Sequence, residues 1–318
     1  MSLSLIFWLV LALVAGLLAL SVHRTRGMAK AAARMVPQAG EIVPVRGGRI
    51  HYVAAGPTGA PPVVLIHGLS GQLQHFTYAM AELLAGDFRV IAVDRPGCGY
   101  SVRDGAELAT PGEQGRMIAE ALAALGVTDP ILVGHSFGGA VALAMAMDRP
   151  EQVRGLALLA PATQPQAEVP EVFRGLMVRT GWLRRAIGAT VAVPLAAATA
   201  EKVLAAVFAP EPAPGDFMIR AGGALGLRPQ AFVTASEDAV ALLDGGAGQA
   251  ARYAAELTVP GGILFGSADA ILSPALHGHT MAAHGLGFET LEGRGHMIPL
   301  TAPRDCADFV RRVAAMCS

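Results

Sequence analysis

The stretch Leu132-Val133-Gly134-His135-Ser136-Phe137-Gly138-Gly139 decides the fold. An apolar run from Ile131 to Val133 leads into Gly134-x-Ser136-x-Gly138, and an alanine-rich helical pattern from Ala140 to Met147 follows at once. That order reads as strand, sharp turn, helix. At such a turn the serine is held in a strained backbone conformation with its hydroxyl clear of the sheet. Glycines two positions to either side are needed, because a Cβ there would collide with the neighbouring strand or helix. Ser136 is therefore the candidate nucleophile. The five-residue pattern alone matches many glycine-rich loops; the strand before it and the helix after it make it specific.

A serine hydroxyl is a poor nucleophile at neutral pH, so the assignment requires a histidine base, an acid to orient that histidine, and donors for an oxyanion. The remainder of the chain supplies them in the order acid, then histidine. The apolar run Gly262-Ile263-Leu264-Phe265-Gly266 precedes Ser267-Ala268-Asp269, which puts Asp269 just beyond a strand. A second run, Phe288-Glu289-Thr290-Leu291, leads to Glu292-Gly293-Arg294-Gly295-His296, which puts His296 on the loop after the last strand. With these residues the chain resembles an α/β-hydrolase of the esterase and lipase type with a serine nucleophile. The resemblance runs from about Val45 to the C-terminus and rests on four separated motifs.

The resemblance implies further roles. The loop His67-Gly68-Leu69-Ser70-Gly71-Gln72, after the buried strand Val63 to Ile66, carries half of the oxyanion hole in this family. Leu69 N–H is then one donor and Phe137 N–H the other. His67 becomes a loop-shaping residue. Asp94-Arg95-Pro96-Gly97-Cys98-Gly99-Tyr100-Ser101 resembles the family's Asp-x-Pro-Gly-x-Gly-x-Ser loop, whose role is structural. Asp94 precedes the nucleophile and belongs to the wrong strand for the acid, while Asp238 and Asp244 would serve only in a departure from the usual plan. An aspartate at position 136 would have pointed to a dehalogenase or epoxide hydrolase; serine points to acyl transfer. No cofactor or metal is called for.

The expected architecture is α/β: a mostly parallel central sheet flanked by helices, with a helical cap inserted after the sixth strand and a transmembrane helix at the N-terminus. Ile42 to Arg46 and Arg49 to Ala54 read as a hairpin about Gly47-Gly48. Residues 41–161 form the first part of the hydrolase core and 258–318 the second. Between them, 162–257 is the cap, where strand-like runs give way to alanine-rich segments broken by Pro170, Pro194, Pro210, Pro212, Pro214 and Pro229. Most apolar residues there serve the cap's own core. Phe173, Met177, Leu195 and Phe208 are the candidates for roofing the nucleophile, and an apolar roof suits an acyl chain or another uncharged group.

Composition sets the limits. The 318 residues carry a net charge of −1 with 15% charged side chains, which gives no electrostatic case for nucleic acid. Three cysteines cannot all pair, and Cys306 and Cys317, eleven residues apart on one helix, are separated by ~16 Å. Leu3 to Val22 is free of charge and, as a helix, ~30 Å long, the span of a hydrocarbon core. An uncleaved anchor competes here with a secretory signal peptide. The basic residues Arg24, Arg26, Lys30 and Arg34 follow the apolar run instead of preceding it, which favours the anchor and places the catalytic domain on the cytoplasmic face. Residues 1–26 are thus the anchor and 27–40 a basic tether, helical or extended, suited to anionic headgroups.

The expected activity is hydrolysis of a carboxylic ester of a hydrophobic acyl group by a membrane-anchored serine hydrolase, with the lipid bilayer and a small hydrophobic ester as partners. The same machinery serves C–C, thioester and lactone hydrolysis. A non-catalytic hydrolase-like binding protein is the alternative of another class, although such a protein is expected to have lost part of the triad or the glycines, and here all are present.

Overall fold

Among the described residues nine strands form one sheet in the order β1-β2-β4-β3-β6-β7-β8-β9, with the two-residue β5 (Val102–Arg103) paired to β2. The structure is a computed structural model that describes residues 2–166 and 169–317; Met1, within the expected anchor, Ala167 and Glu168, within the expected cap, and Ser318 lie outside the described residues. β1 (Glu41–Val45) and β2 (Gly48–Ala55) make the expected antiparallel hairpin. β3 (Pro62–Ile66), β4 (Arg89–Val93), β6 (Ile131–His135), β7 (Gly155–Leu159), β8 (Gly261–Gly266) and β9 (Leu286–Leu291) run parallel. The helical insertion leaves the sheet after β7. β5 adds one strand to the expected count because two residues carry no readable alternation.

Apolar runs without alternation mark strands covered on both faces. Along β3, Val64 and Ile66 enter the core on one side of the sheet, and Val63 and Leu65 the core on the other. Seven helices have nine residues or more among the described residues: α1 (Leu3–Met35), α2 (Pro111–Ala124), α3 (Phe137–Asp148), α4 (Gly181–Ala189), α5 (Ala192–Phe208), α6 (Pro229–Glu256) and α7 (Pro303–Met316). Thr110 caps α2 by accepting from Glu113 N–H at 3.3 Å. α3 is buried on every side from Phe137 to Met147, which its unbroken apolar composition requires.

α1 is one helix through both the apolar segment and the basic stretch to Met35. Its first part is exposed. Its second part packs on the protein, where Ala32 and Val36 join Ala224 and Leu225 in a small core and Tyr100 Oη donates to Val36 O at 2.5 Å. The segment after the apolar run is therefore docked on the protein surface.

Candidate active site

Register brings the carboxyl ends of the central strands level. Ile66 lies opposite Gly134, His135 opposite Leu159, Leu159 opposite Leu264, and Gly266 opposite Leu291. The loops that carry Leu69, Ser136, Asp269 and His296 thus leave the sheet along a single edge, the place where open parallel sheets bind ligands.

Ser136 has φ 54° and ψ −121°, a left-handed conformation rare outside glycine. The surroundings enforce it. A Cβ on Gly134 would sit 2.5 Å from Gly138 O, one on Gly138 would sit 2.1 Å from Ile66 O, and one on Gly139 would sit 2.4 Å from Pro161 Cβ. Ser136 O is fixed by N–H donors from Gly139 and Ala162, each at 2.9 Å. Phe137 opens α3, where a helix leaves its first N–H groups without intrahelical acceptors.

Gly68 packs directly on the turn, with its Cβ position 2.9 Å from Ser136 Cβ, and Leu69 is the next residue along the chain. That loop is held by Arg95, which is fully buried. Arg95 Nε donates to His67 O at 2.9 Å, Nη2 to Gly68 O at 3.0 Å, and Nη1 to Gln114 Oε1 at 2.7 Å and Asp238 Oδ2 at 2.6 Å. Its guanidinium lies 4.5 Å from the centre of the Phe137 ring. Arg95 N–H donates to His67 Nε2 at 2.9 Å, and the opposite ring nitrogen lies 2.9 Å from Gly68 O. Burial, reinforced by the Arg95 charge, holds the His67 pKa well below the usual imidazole value, so the ring is neutral.

Asp269 and His296 meet. His296 Nδ1 lies 2.7 Å from Asp269 Oδ2, and Asp269 Oδ1 accepts from the N–H groups of Ile271 and Leu272 at 2.8 and 2.9 Å. With one carboxylate oxygen tied to the backbone, the other is aimed at the imidazole. The His296 ring stacks obliquely on His135, centroids 5.0 Å apart, and His296 O lies 3.1 Å from His135 Nε2, so the loop closes over the residue beside Ser136. From the cap, Glu211 accepts from Gly295 N–H at 2.8 Å and from Arg294 Nη1 at 2.7 Å. Burial by itself raises its carboxyl pKa, but these donors prevail and leave it lowered.

Other candidates fall elsewhere. Asp238 lies between two arginines, with Arg103 Nη1 2.6 Å from its second oxygen, and ties α6 to the core. Asp244 pairs with Arg179 on the surface. Asp94 accepts from Leu73 N–H and Tyr100 N–H and pairs with His51. His277 uses Nδ1 to accept from Thr163 N–H at 3.1 Å and Gln164 N–H at 3.2 Å, and burial lowers its pKa to about 4. Cys98 is buried, its thiol pushed up to about 12, which leaves it inert.

The four roof candidates divide. Phe173 is half-buried and, like Leu69, packs on the core that contains Phe137, Ile271 and Leu272. Met177 is half-buried at the end of the same 3₁₀ turn. Phe208 is fully buried in a small core with Phe217, Leu300 and Met297, the residue after His296. Leu195, on α5, is 61% exposed. The missed residues are Arg95 and Glu211. Arg95 is read from the sequence only as part of a structural loop and Glu211 not at all, because the partners that make each matter lie far along the chain.

Comparison with known proteins agrees with this architecture. The α/β hydrolase fold family model matches residues 61–259. The chain is 33% identical over 142 residues to a dihydrolipoyllysine-residue acetyltransferase component of the acetoin cleaving system of Pseudomonas putida, 44% of this chain and 37% of that protein. It spans between 30% and 47% of the length of the first curated relatives it matches. An esterase from Thermogutta terrifontis superposes with a TM-score of 0.68 at 23% identity, covering 87% of this chain and 99% of that one. A membrane phospholipase A described as a bacterial virulence factor superposes with a TM-score of 0.61 at 22% identity, covering 98% and 97%. The family model covers more than half of the sequence, and the chain belongs to the α/β hydrolase fold family.

Proposed function

We propose that the protein is a membrane-anchored serine hydrolase that cleaves carboxylic esters of hydrophobic acyl groups. The observation that carries the reading is the buried Asp269–His296 pair on the same sheet edge as a serine in the strained left-handed turn. Ser136 Oγ attacks the ester carbonyl carbon while His296 Nε2 takes its proton. The carbonyl oxygen, now negative, is held by the N–H groups of Leu69 and Phe137. The C–O bond to the alcohol breaks as His296 returns the proton to the leaving oxygen. Water, deprotonated by the same imidazole, then attacks the acyl-enzyme; the bond to Ser136 Oγ breaks as His296 returns the proton to it, and the carboxylic acid leaves. Asp269 fixes the tautomer of His296 and stabilises its cation. Phe173 contributes to the acyl site, and α1 holds the enzyme in the bilayer with the catalytic domain on the cytoplasmic face.

Labelling with a fluorophosphonate followed by peptide mapping tests the nucleophile: the adduct is expected on Ser136 and absent from Ser136→Ala. Ser136→Ala and His296→Ala are each expected to reduce turnover of nitrophenyl esters to a similar residual level, because the members of such a unit do not contribute additively. An adduct on another residue, or full activity after His296→Ala, refutes the assignment.

A further inference from the structure

α4 and α5 meet at a corner, their axes bent by 74°, and the corner is fastened to α1. Ser21 Oγ donates to Thr190 O at 2.9 Å and Thr25 Oγ1 donates to the same oxygen at 2.7 Å. Ser21 and Thr25 lie one helical turn apart on one face of α1, so both reach the same carbonyl oxygen. The apolar run ends at Val22, and Thr25 lies only ~4.5 Å further along the helix axis. The α4–α5 corner therefore lies at the level where α1 leaves the hydrocarbon.

The residues on the arms of that corner have the wrong character for water. Val191, at the corner, is 51% exposed and Leu195, on the first turn of α5, 61%; Trp182, 67% exposed, and Leu183 lie at the other end of α4, ~12 Å along its axis from Thr190. Single exposed apolar side chains are ordinary, but four large ones on two short helical arms are more than a soluble surface needs. Basic residues flank them: exposed Arg185 on α4, and Arg24 on α1 in the groove against Pro194 of α5. Tryptophan beside aliphatic side chains, rimmed by arginine, is the composition of an interfacial helix.

We propose that the α4–α5 corner of the cap is immersed in the headgroup and upper acyl region of the bilayer beside α1, so that the cap faces lipid. The occupant is lipid because the corner is hydrogen-bonded through Thr190 to α1 at the level where the exposed apolar run of α1 ends. The proposal rests on the reading of α1 as a membrane span. It adds to that reading a second contact, which brings the cap to the surface from which a hydrophobic ester would come.

Trp8 and Trp182 are the only tryptophans, so each can be read alone. Full-length Trp8→Phe, reconstituted in phosphatidylcholine vesicles, is expected to show blue-shifted Trp182 emission, reduced at least by half when the acyl chains are brominated near the glycerol. Bromine near the chain ends is expected to quench it less. Full-length Trp182→Phe reports Trp8, whose quenching by brominated lipid tests α1. Quenched Trp8 with unquenched Trp182 would leave the anchor standing and overturn the immersion; no quenching of either would overturn both. Blue-shifted Trp182 that bromine does not quench would mean that protein, not lipid, covers the indole, and would also overturn the immersion. Trp182→Ser with Val191→Ser is expected to leave turnover of a soluble nitrophenyl ester unchanged and to lower turnover of an ester embedded in vesicles several-fold. Equal rates on both substrates would count against the proposal.

Discussion

Arg95→Met isolates what the buried arginine does for the oxyanion loop. The substitution keeps an unbranched apolar stem but removes four side-chain hydrogen bonds, to His67 O, Gly68 O, Gln114 and Asp238. Removing one partner of a buried ion pair costs about 3–5 kcal/mol. Here Asp238 keeps Arg103 at 2.6 Å and Gln114 at 3.1 Å on its other oxygen, so the loss belongs at the lower end of that range. A domain with about 5–15 kcal/mol of stability survives it, and the urea midpoint should fall while the protein stays folded. The effect on rate is separate. Two carbonyls that flank the peptide leading to Leu69 lose their donors, and displacement of that N–H from the oxyanion forfeits part of the ~10²-fold or greater effect of a complete donor. The kcat for nitrophenyl butyrate should therefore drop by about tenfold or more, measured where near-ultraviolet dichroism shows native packing. Arg95→Lys should recover stability better than rate, because an ammonium can reach Asp238 but cannot fork to both carbonyls. Folded Arg95→Met with kcat within about twofold of the parent would show that the loop holds its shape without Arg95 and that the arginine does not position Leu69 N–H.

Further outcomes follow from the same geometry. Asp269→Asn should lower kcat while leaving fluorophosphonate labelling detectable, since His296 loses its orienting charge but Ser136 keeps its turn; labelling at the parental rate would speak against the pair. Glu211→Gln should weaken the hold on Gly295 and Arg294 and reduce kcat more than KM rises, whereas a pure loss of stability would show the cap contact to be structural only. Gly138→Ala should not give folded protein, because its Cβ would lie 2.1 Å from Ile66 O; a folded, active variant would contradict the packing of the turn. Burial lowers the pKa of His75 and of His277 to about 4, so between pH 4 and the ordinary imidazole value of 6.5 the unfolded chain binds more protons than the native one. Their contribution is fully present above that window and is lost as pH falls through it, at up to about 1.4 kcal/mol per pH unit for each ring. Urea midpoints across pH 4 to 7 should rise with pH, and His75→Phe should flatten the rise.

Where chemistry is local, it was legible in the chain alone. The apolar run before Ser136, the glycines at 134 and 138 and the helix beyond are consecutive, and steric needs within one turn dictate those residue types whatever surrounds them. Asp269 and His296 were readable for a similar reason, as each ends a strand and chain order fixes which strand. The twenty uncharged residues of α1 announce their length without any partner. Tertiary structure decided what depends on distant residues. Arg95 lies 143 positions from Asp238, and Glu211 lies 84 from Gly295, so neither polar side chain showed locally that it would be buried and paired. The same holds for Leu195. Within an apolar segment it reads as a core or pocket residue, yet it is 61% exposed. Helical periodicity shows which residues share a face; which face is buried depends on where neighbouring elements come to rest.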